Sequence, residues 1–405
     1  MAQAPVHPER ETRPAAPPPR DSRRGYWADA GRRFLRKKWA VLGLAVLVML
    51  ASLAVFAPFL AGNRPLIFSD GDGLSFPVFA AFTAEDFLWF SVPGILIASR
   101  LAGRLFQSRG SRHEGSRSTW FSAAILTAIV IVIALLWPER LDRSDFTAYR
   151  DGGKEASICV MPPVPFSPQE ISLAEKVQAP SGKHWLGTDP VGRDVLSRLV
   201  HGARVSLLVG IVAVGLYVVI GVFMGALAGF FGGWTDMLIS RLIEVVICFP
   251  AIFAILAVLC FLPPSLFWIM ILIGLLRWPR VARLTRGEFL RLKNEDFVTS
   301  SRALGLSSFR IIFFQILPNS LAPVLVAATF GIAGAILLES GLSFLGFGVQ
   351  PPTPSWGEML AGGRAYFDRS WWLTLCPGLA IFMAVTAFNL IGEGLRDALD
   401  PKLKL

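Results

Sequence analysis

Runs of about twenty predominantly apolar residues recur along this 405-residue chain, at 39–60, 119–137, 205–230, 239–261, 265–281, 319–345 and 371–393, with a weaker one at 87–106. A helix of that length crosses the ~30 Å hydrocarbon core of a bilayer. No water is available there, so each run must satisfy its backbone groups internally, and solid apolar runs exclude the alternating pattern of a barrel. With 53% hydrophobic and only 17% charged residues, lipid is the main solvent. The fold class expected is an all-α polytopic membrane protein of about eight transmembrane helices. Three runs are irregular. Pro250 interrupts 239–261, Arg277 and Arg280 crowd the end of 265–281, and Arg100 and Arg104 punctuate 87–106, which reads either as a span with snorkelling arginines or as a re-entrant or surface helix.

The net charge of +10 is not spread evenly. Residues 1–38 carry ten Lys/Arg against four acids, 100–118 five against one, and 277–310 eight against three. The alternating segments 62–86 and 138–198 are acidic or nearly balanced. This is the positive-inside bias and predicts both termini in the cytoplasm. No basic face is interleaved with exposed aromatics, so no nucleic-acid partner is expected. The divisions read as a disordered basic N-terminus (1–38, with 1–24 rich in Pro, Ala and Arg), a first transmembrane helix (39–61), outer-side segments (62–184) holding an inserted transmembrane hairpin at about 87–137, and a core (185–405).

Chemistry is scarce. Cys159, Cys248, Cys260 and Cys376 show no metal spacing, and His7, His113, His184 and His201 are scattered. There is no phosphate loop, HExxH or GxSxG. Glu244, Glu339 and Glu393 lie in or near spans, and nothing pairs them. No catalytic residue, no metal site and no cofactor bound by this chain is expected. Glu339, near the end of its span, reads as an interfacial glutamate hydrogen-bonded to a neighbouring helix, with a functional-site role as the alternative. Gly221, Gly225 and Gly229 form a doubled GxxxG stripe suited to close helix packing, with a pore-lining role as the alternative.

Two loops carry more information. Phe297–Asn319 reads as a helix, a turn at Gly305 and a second helix with Phe309, Ile312, Phe313 and Ile316 on one stripe, followed by Leu317-Pro318. Glycine reaches the positive φ of such a turn without a Cβ clash. An amphipathic interfacial connector has the same pattern. Trp185–Arg204 precedes a span and holds Gly187-Thr188-Asp189, Gly192-Arg193-Asp194 and Ser197-Arg198. Thr188 or Asp189 would cap a helix starting near Pro190.

Thr299-Ser300-Ser301 with Ala303, Gly305 and Leu317-Pro318 matches the spacing of the cytoplasmic "EAA" coupling loop in permease subunits of ABC importers. The segment from Gly187 to Arg198, Gly232–Asp236 with Arg241, Glu244 and Pro250, Leu342–Gly357, and Gly394–Pro401 all resemble the C-type permease of the dipeptide, oligopeptide and nickel importers, in order. The resemblance implies a type I importer permease core plus the inserted hairpin. It implies half of a pore completed by a second permease subunit, with two ABC ATPase subunits holding ATP-Mg, an outer-side substrate-binding protein and membrane lipid as partners. It places Gly187, Thr188, Asp189, Gly192, Arg193 and Asp194 at the outer mouth. The family's glutamate and two alanines are Thr299, Ser300 and Ser301 here, and its usual six-span subunit lacks the hairpin. A self-contained secondary transporter or channel would need inverted repeats and mid-membrane ionisable groups, and a membrane enzyme would need a catalytic grouping.

Overall fold

A computed structural model describes residues 26–69, 73–80, 82–83, 86–87, 89–91, 146–151 and 157–400. The expected disordered segment 1–24 and nearly all of the hairpin at 87–137 lie outside these residues. Ten helices matter here: α1 (Tyr26–Arg36), α2 (Lys38–Val55), α3 (Val195–Phe231), α4 (Gly233–Ile247), α5 (Ala251–Leu259), α6 (Leu266–Leu292), α7 (Asp296–Ala303), α8 (Ser308–Phe344), α9 (Trp356–Gly363) and α10 (Trp371–Leu399). Among the described residues α2, α3, α8 and α10 are long and apolar enough to cross a membrane.

Close contacts at glycine fix the helix directions. Gly43 of α2 lies against Ala387 and Leu390 of α10, while Gly394 lies against Ala40, so these two run antiparallel. Gly210 of α3 meets Ile332 and Ile336 of α8, and Gly331 meets Tyr217, again antiparallel. Along α3, Gly221, Gly225 and Gly229 meet Val281, Thr285 and Phe289 of α6 in ascending order. α3 and α6 are therefore parallel neighbours. All this agrees with a chain that reverses direction at each crossing. One end of the bundle carries residues 293–308 (the loop end), and the other carries 161–194 and 345–370 (the cap end).

Two expectations change. The run 239–261 is not one straight helix: α4 and α5 meet at 77° across Phe249-Pro250, because proline cannot donate to the preceding turn and disfavours helix in the residue before it. The run 265–281 does not end at its arginines; α6 continues to Leu292 with five of them, which lowers its hydropathy but leaves Arg277 in the helix interior. The fold class is helical as expected, with one small sheet at the cap end. β1 (Ile67–Ser69) pairs antiparallel with β2 (Leu74–Ser75) and with β3 (Ile158–Val160). The chain thus leaves the cap end at Ser69 and returns beside it at Ile158.

The main core lies between α3, α4, α5, α6 and α8, around Val209, Ile243, Ile255, Ile273 and Val281. A second core joins α2, α3, α8 and α10 through Leu50, Leu207, Ile336 and Phe388. Large side chains on the opposite faces of α4 and α5 are exposed, among them Trp234, Leu238 and Phe253, as is Phe261 just beyond α5, as expected of surfaces solvated by lipid or covered by another subunit.

Candidate functional site

At the loop end, α7 ends in a Schellman turn. The N–H of Leu306 donates to Ser301 O and that of Gly305 to Arg302 O, with Gly305 at φ +75°. These bonds satisfy carbonyls the helix end would otherwise leave free. Space around Gly305 is open, so backbone conformation alone demands glycine. Ser307 then caps the next turn through Arg310 N–H. The second arm does not stop at Leu317-Pro318. It passes through a π turn at Ile312–Ile316, where Leu317 N–H reaches Ile312 O, and continues into the span. The wide turn precedes Pro318, which has no N–H to offer the preceding turn.

The two arms are tied by Ser301, whose Oγ lies 2.8 Å from Gln315 Oε1 and 2.7 Å from Phe297 O. Val298, Ile311, Ile312 and Ile316 pack with Phe289 of α6. The expected stripe is thus shifted. Ile312 and Ile316 are buried, but Phe309 and Phe313 face outward with ring centroids 4.5 Å apart. Thr299, Ser300, Ala303, Leu304 and Gly305 are exposed beside them, Leu304 at 80%. The loop therefore projects a patch with an apolar tip from a base rigidly packed on α6. Leu317 is half-buried and Pro318 exposed.

At the cap end the helix does not begin near Pro190 with Thr188 or Asp189 as its cap. α3 starts at Val195, and Asp194 is the cap, its Oδ1 accepting Ser197 N–H at 2.7 Å. Asp189 shapes the preceding loop, with Oδ1 accepting the N–H groups of Val191 and Arg193, both at 2.9 Å. Its Oδ2 takes Arg193 Nε at 2.6 Å and Arg198 Nη1 at 3.2 Å. Arg198 also pairs with Glu358 of α9. This is a buried network: Asp189 and Asp194 are buried and Arg198 is 1% exposed. Gly187 and Gly192 hold φ of +75° and +83°. A Cβ on them would lie 2.5 Å from Gln178 O and 1.8 Å from Ser172 O. Thr188 accepts Gln178 N–H at 2.8 Å.

His184, one of the scattered histidines, belongs here. Its Nδ1 lies 2.8 Å from Asp194 Oδ2 and its Nε2 3.3 Å from Glu175 Oε2. The hydrogen bond from Lys183 holds the Glu175 carboxyl below its ordinary range, and burial pushes that of Asp194 up. Glu339, fully buried, accepts from Ser343 at 2.8 Å on its own helix and from Ser355, the cap of α9, at 3.0 Å. Arg204 binds Asp86 and the carbonyls of Ala54 and Val55, closing the end of α2. The partners of Arg204 lie 118 to 150 positions away and leave no local trace in the sequence.

Gly221, Gly225 and Gly229 form the seam between α3 and α6, where a Cβ would come within 2.6, 2.4 and 2.6 Å of the other helix. The cap, the seam and the loop occupy successive levels of one bundle, and the structure does not bring them into a single pocket.

Comparison with known proteins gives the class. Residues 219–405 match the family described as binding-protein-dependent transport system inner membrane component, and residues 25–70 match the N-terminal transmembrane domain of oligopeptide transport permease C. The chain belongs to this family of ABC importer permeases, which makes it a multi-pass component of a transport system of the inner membrane. Among its relatives is the dipeptide transport system permease protein DppC of Alkalihalophilus pseudofirmus, 45% identical over 58% of this chain and 77% of the relative. The di/tripeptide transport system permease protein DppC of Pseudomonas aeruginosa is 47% identical over 54% and 72%. The probable D,D-dipeptide transport system permease protein DdpC of Escherichia coli is 36% identical over 72% and 93%. Among solved structures, the MetNI methionine ABC transporter in inward-facing conformations is similar at a TM-score of 0.42 and 17% identity, over 50% of this chain and 96% of that one.

Proposed function

We propose that this chain is the C-type transmembrane subunit of an ATP-driven importer of small peptides. It forms half of a pore with a second, non-identical permease on a type I importer core. The loop end faces the cytoplasm, and residues 299–318 dock in a groove on one of two ATPase subunits, which hold ATP-Mg. The cap end, with Gly187–Asp194, faces the outer binding protein. The core spans 185–405 and the segment 62–184 carries the inserted hairpin, with both termini inside. The observation that carries this reading is the Schellman-turned loop, which exposes Leu304 and Phe309 while its base is locked into α6 and α8. An apolar tip on a rigid stem suits a groove on another protein and transmits that protein's motion to the bundle. The permeases for dipeptides and di/tripeptides among its relatives support the choice of solute.

The test is co-purification in mild detergent with the encoded ATPases and second permease, followed by uptake of labelled di- and tripeptides, and of nickel, into proteoliposomes. Peptide uptake that requires ATP and all subunits is expected. Peptide uptake by this chain alone without ATP would make it a secondary transporter instead. For sidedness, a cysteine at position 110 should resist impermeant reagents applied outside intact cells.

A further inference from the structure

Arginine recurs along α6 at Arg277, Arg280, Arg283, Arg286 and Arg291, turning gradually around the helix, and these arginines are not alike. Arg286 is paired with Asp236, and Arg291 with Glu288. Arg277 and Arg280 have no ion pair or hydrogen bond among the described residues. Their depth follows from two helices independently. Arg277 is eleven residues, roughly 16 Å, from the cap-end start of α6 at Leu266. It packs on Gly334 of α8, so close that a Cβ there would lie 3.2 Å from its Nη1. Gly334 is ten residues, roughly 15 Å, from the cap-end terminus of α8 at Phe344. With a hydrocarbon core of ~30 Å, the guanidinium sits near mid-membrane.

Arg277 is half-exposed and Arg280, three residues on, is exposed. An unpaired guanidinium facing lipid at that depth is strongly disfavoured, so intramembrane charges face a bundle interior or a wet cavity. The surroundings agree. Gly331 and Gly334 leave a gap in α8, and the Tyr217 hydroxyl fills it to 1.6 Å from where a Gly331 Cβ would be. Gly331 lies three residues from Gly334 toward the loop end, as Arg280 does from Arg277, so Tyr217 Oη and the two arginines occupy adjacent levels of the bundle. Two cationic forks and a hydroxyl, with no carboxylate from the described residues of this chain paired to them, form a site complementary to a carboxylate.

We propose that Arg277 and Arg280, with Tyr217 Oη, form a carboxylate-binding station halfway along the solute path, taking the free α-carboxylate of a peptide in transit. This rests on the reading of the chain as a peptide importer. The guanidiniums stay partly wet, which suits a station that must also release its cargo, since a fully desolvated pair would hold it.

The experiment uses the complete reconstituted transporter. Arg277→Gln and Arg280→Gln should each lower uptake of a dipeptide with a free carboxylate roughly tenfold or more, as for loss of a hydrogen bond to a charged group, with Arg280→Lys retaining most of it. In a background with Cys159, Cys248, Cys260 and Cys376 replaced, the Arg280→Cys variant should react with a water-soluble cationic thiol reagent. That reaction should restore uptake, whereas a neutral methylating reagent should not. Wild-type uptake by both Gln variants at normal membrane levels overturns the proposal. So does an Arg280→Cys thiol that stays unreactive in both nucleotide-free and ATP-trapped assemblies, which places this face against lipid or an acidic residue of the second permease. If the wild-type assembly imports no peptide at all, the importer reading fails first and takes this one with it; failure confined to the variants leaves that reading standing.

Discussion

Arg198 and Glu358 are 160 positions apart and form a buried ion pair that pins α3 to the short helix α9 at the cap end. The Arg198 side chain is 1% exposed and that of Glu358 10%. Breaking such a pair leaves an uncompensated buried charge, at roughly 3–5 kcal/mol. Arg198→Ala should therefore deplete the subunit from membranes. Arg198→Met with Glu358→Gln should recover much of the level, measured by thermal unfolding of the detergent-purified assembly.

Around the same cap, Glu175 supplies a pH signature. Its carboxyl is held low by Lys183, so its contribution is present above the ordinary glutamate value of 4.5 and is lost as pH falls through the lower folded value. Glu175→Gln should be less stable than wild type at neutral pH, and the gap should close on acidification below 4.5. Melting temperature against pH reads this directly, and a gap independent of pH would assign the loss to shape rather than charge.

The α3–α6 seam separates two glycine classes. Gly225→Val drives a side chain into Ala282 O and Thr285, an overpacking that costs roughly 1–3 kcal/mol and more where backbone blocks relief. Gly215 has nothing within 4 Å, so Gly215→Ala should be neutral or slightly stabilising. Purified yield and melting temperature of the two variants make the comparison.

Gly305 is held by conformation and not by crowding. Gly305→Val should cost on the order of 1–2 kcal/mol locally, enough to displace Leu304 and Phe309 without unfolding the bundle. Peptide uptake and peptide-stimulated ATP hydrolysis should fall together in a fully inserted subunit. Gly305→Asn, which tolerates this region better, should retain part of both. Cysteines at Ser300 or Ala303 should cross-link to the ATPase with a yield that depends on nucleotide.

Much of the architecture is legible in the sequence because lipid imposes a one-dimensional rule: apolar length predicts helix, and alternation predicts direction. The Gly305 turn is legible for a similar local reason. Other features depend on partners far along the chain. The pattern of Thr188-Asp189-Pro190 suits a helix start, but Asp189 is drawn into a turn by Arg193 and Arg198, and the cap passes to Asp194. The strands at Ile67–Ser69 and Ile158–Val160 are too short to show a period. The π turn before Pro318 also leaves no trace in composition.

The glycine seam carries a mechanical consequence. Parallel helices in backbone contact through Gly221, Gly225 and Gly229 cannot slide past one another without lifting side chains over carbonyls. α3 and α6 therefore behave as a single strut, and the loop on Phe289 and Leu292 is fixed to its foot. A push at that foot emerges at the level of Arg277 as a tilt of the whole strut, with little lost to shear. Under the proposed importer function, displacement at mid-membrane scales with the lever arm between loop and arginine, so stiffness of the seam sets how much of each push reaches that level.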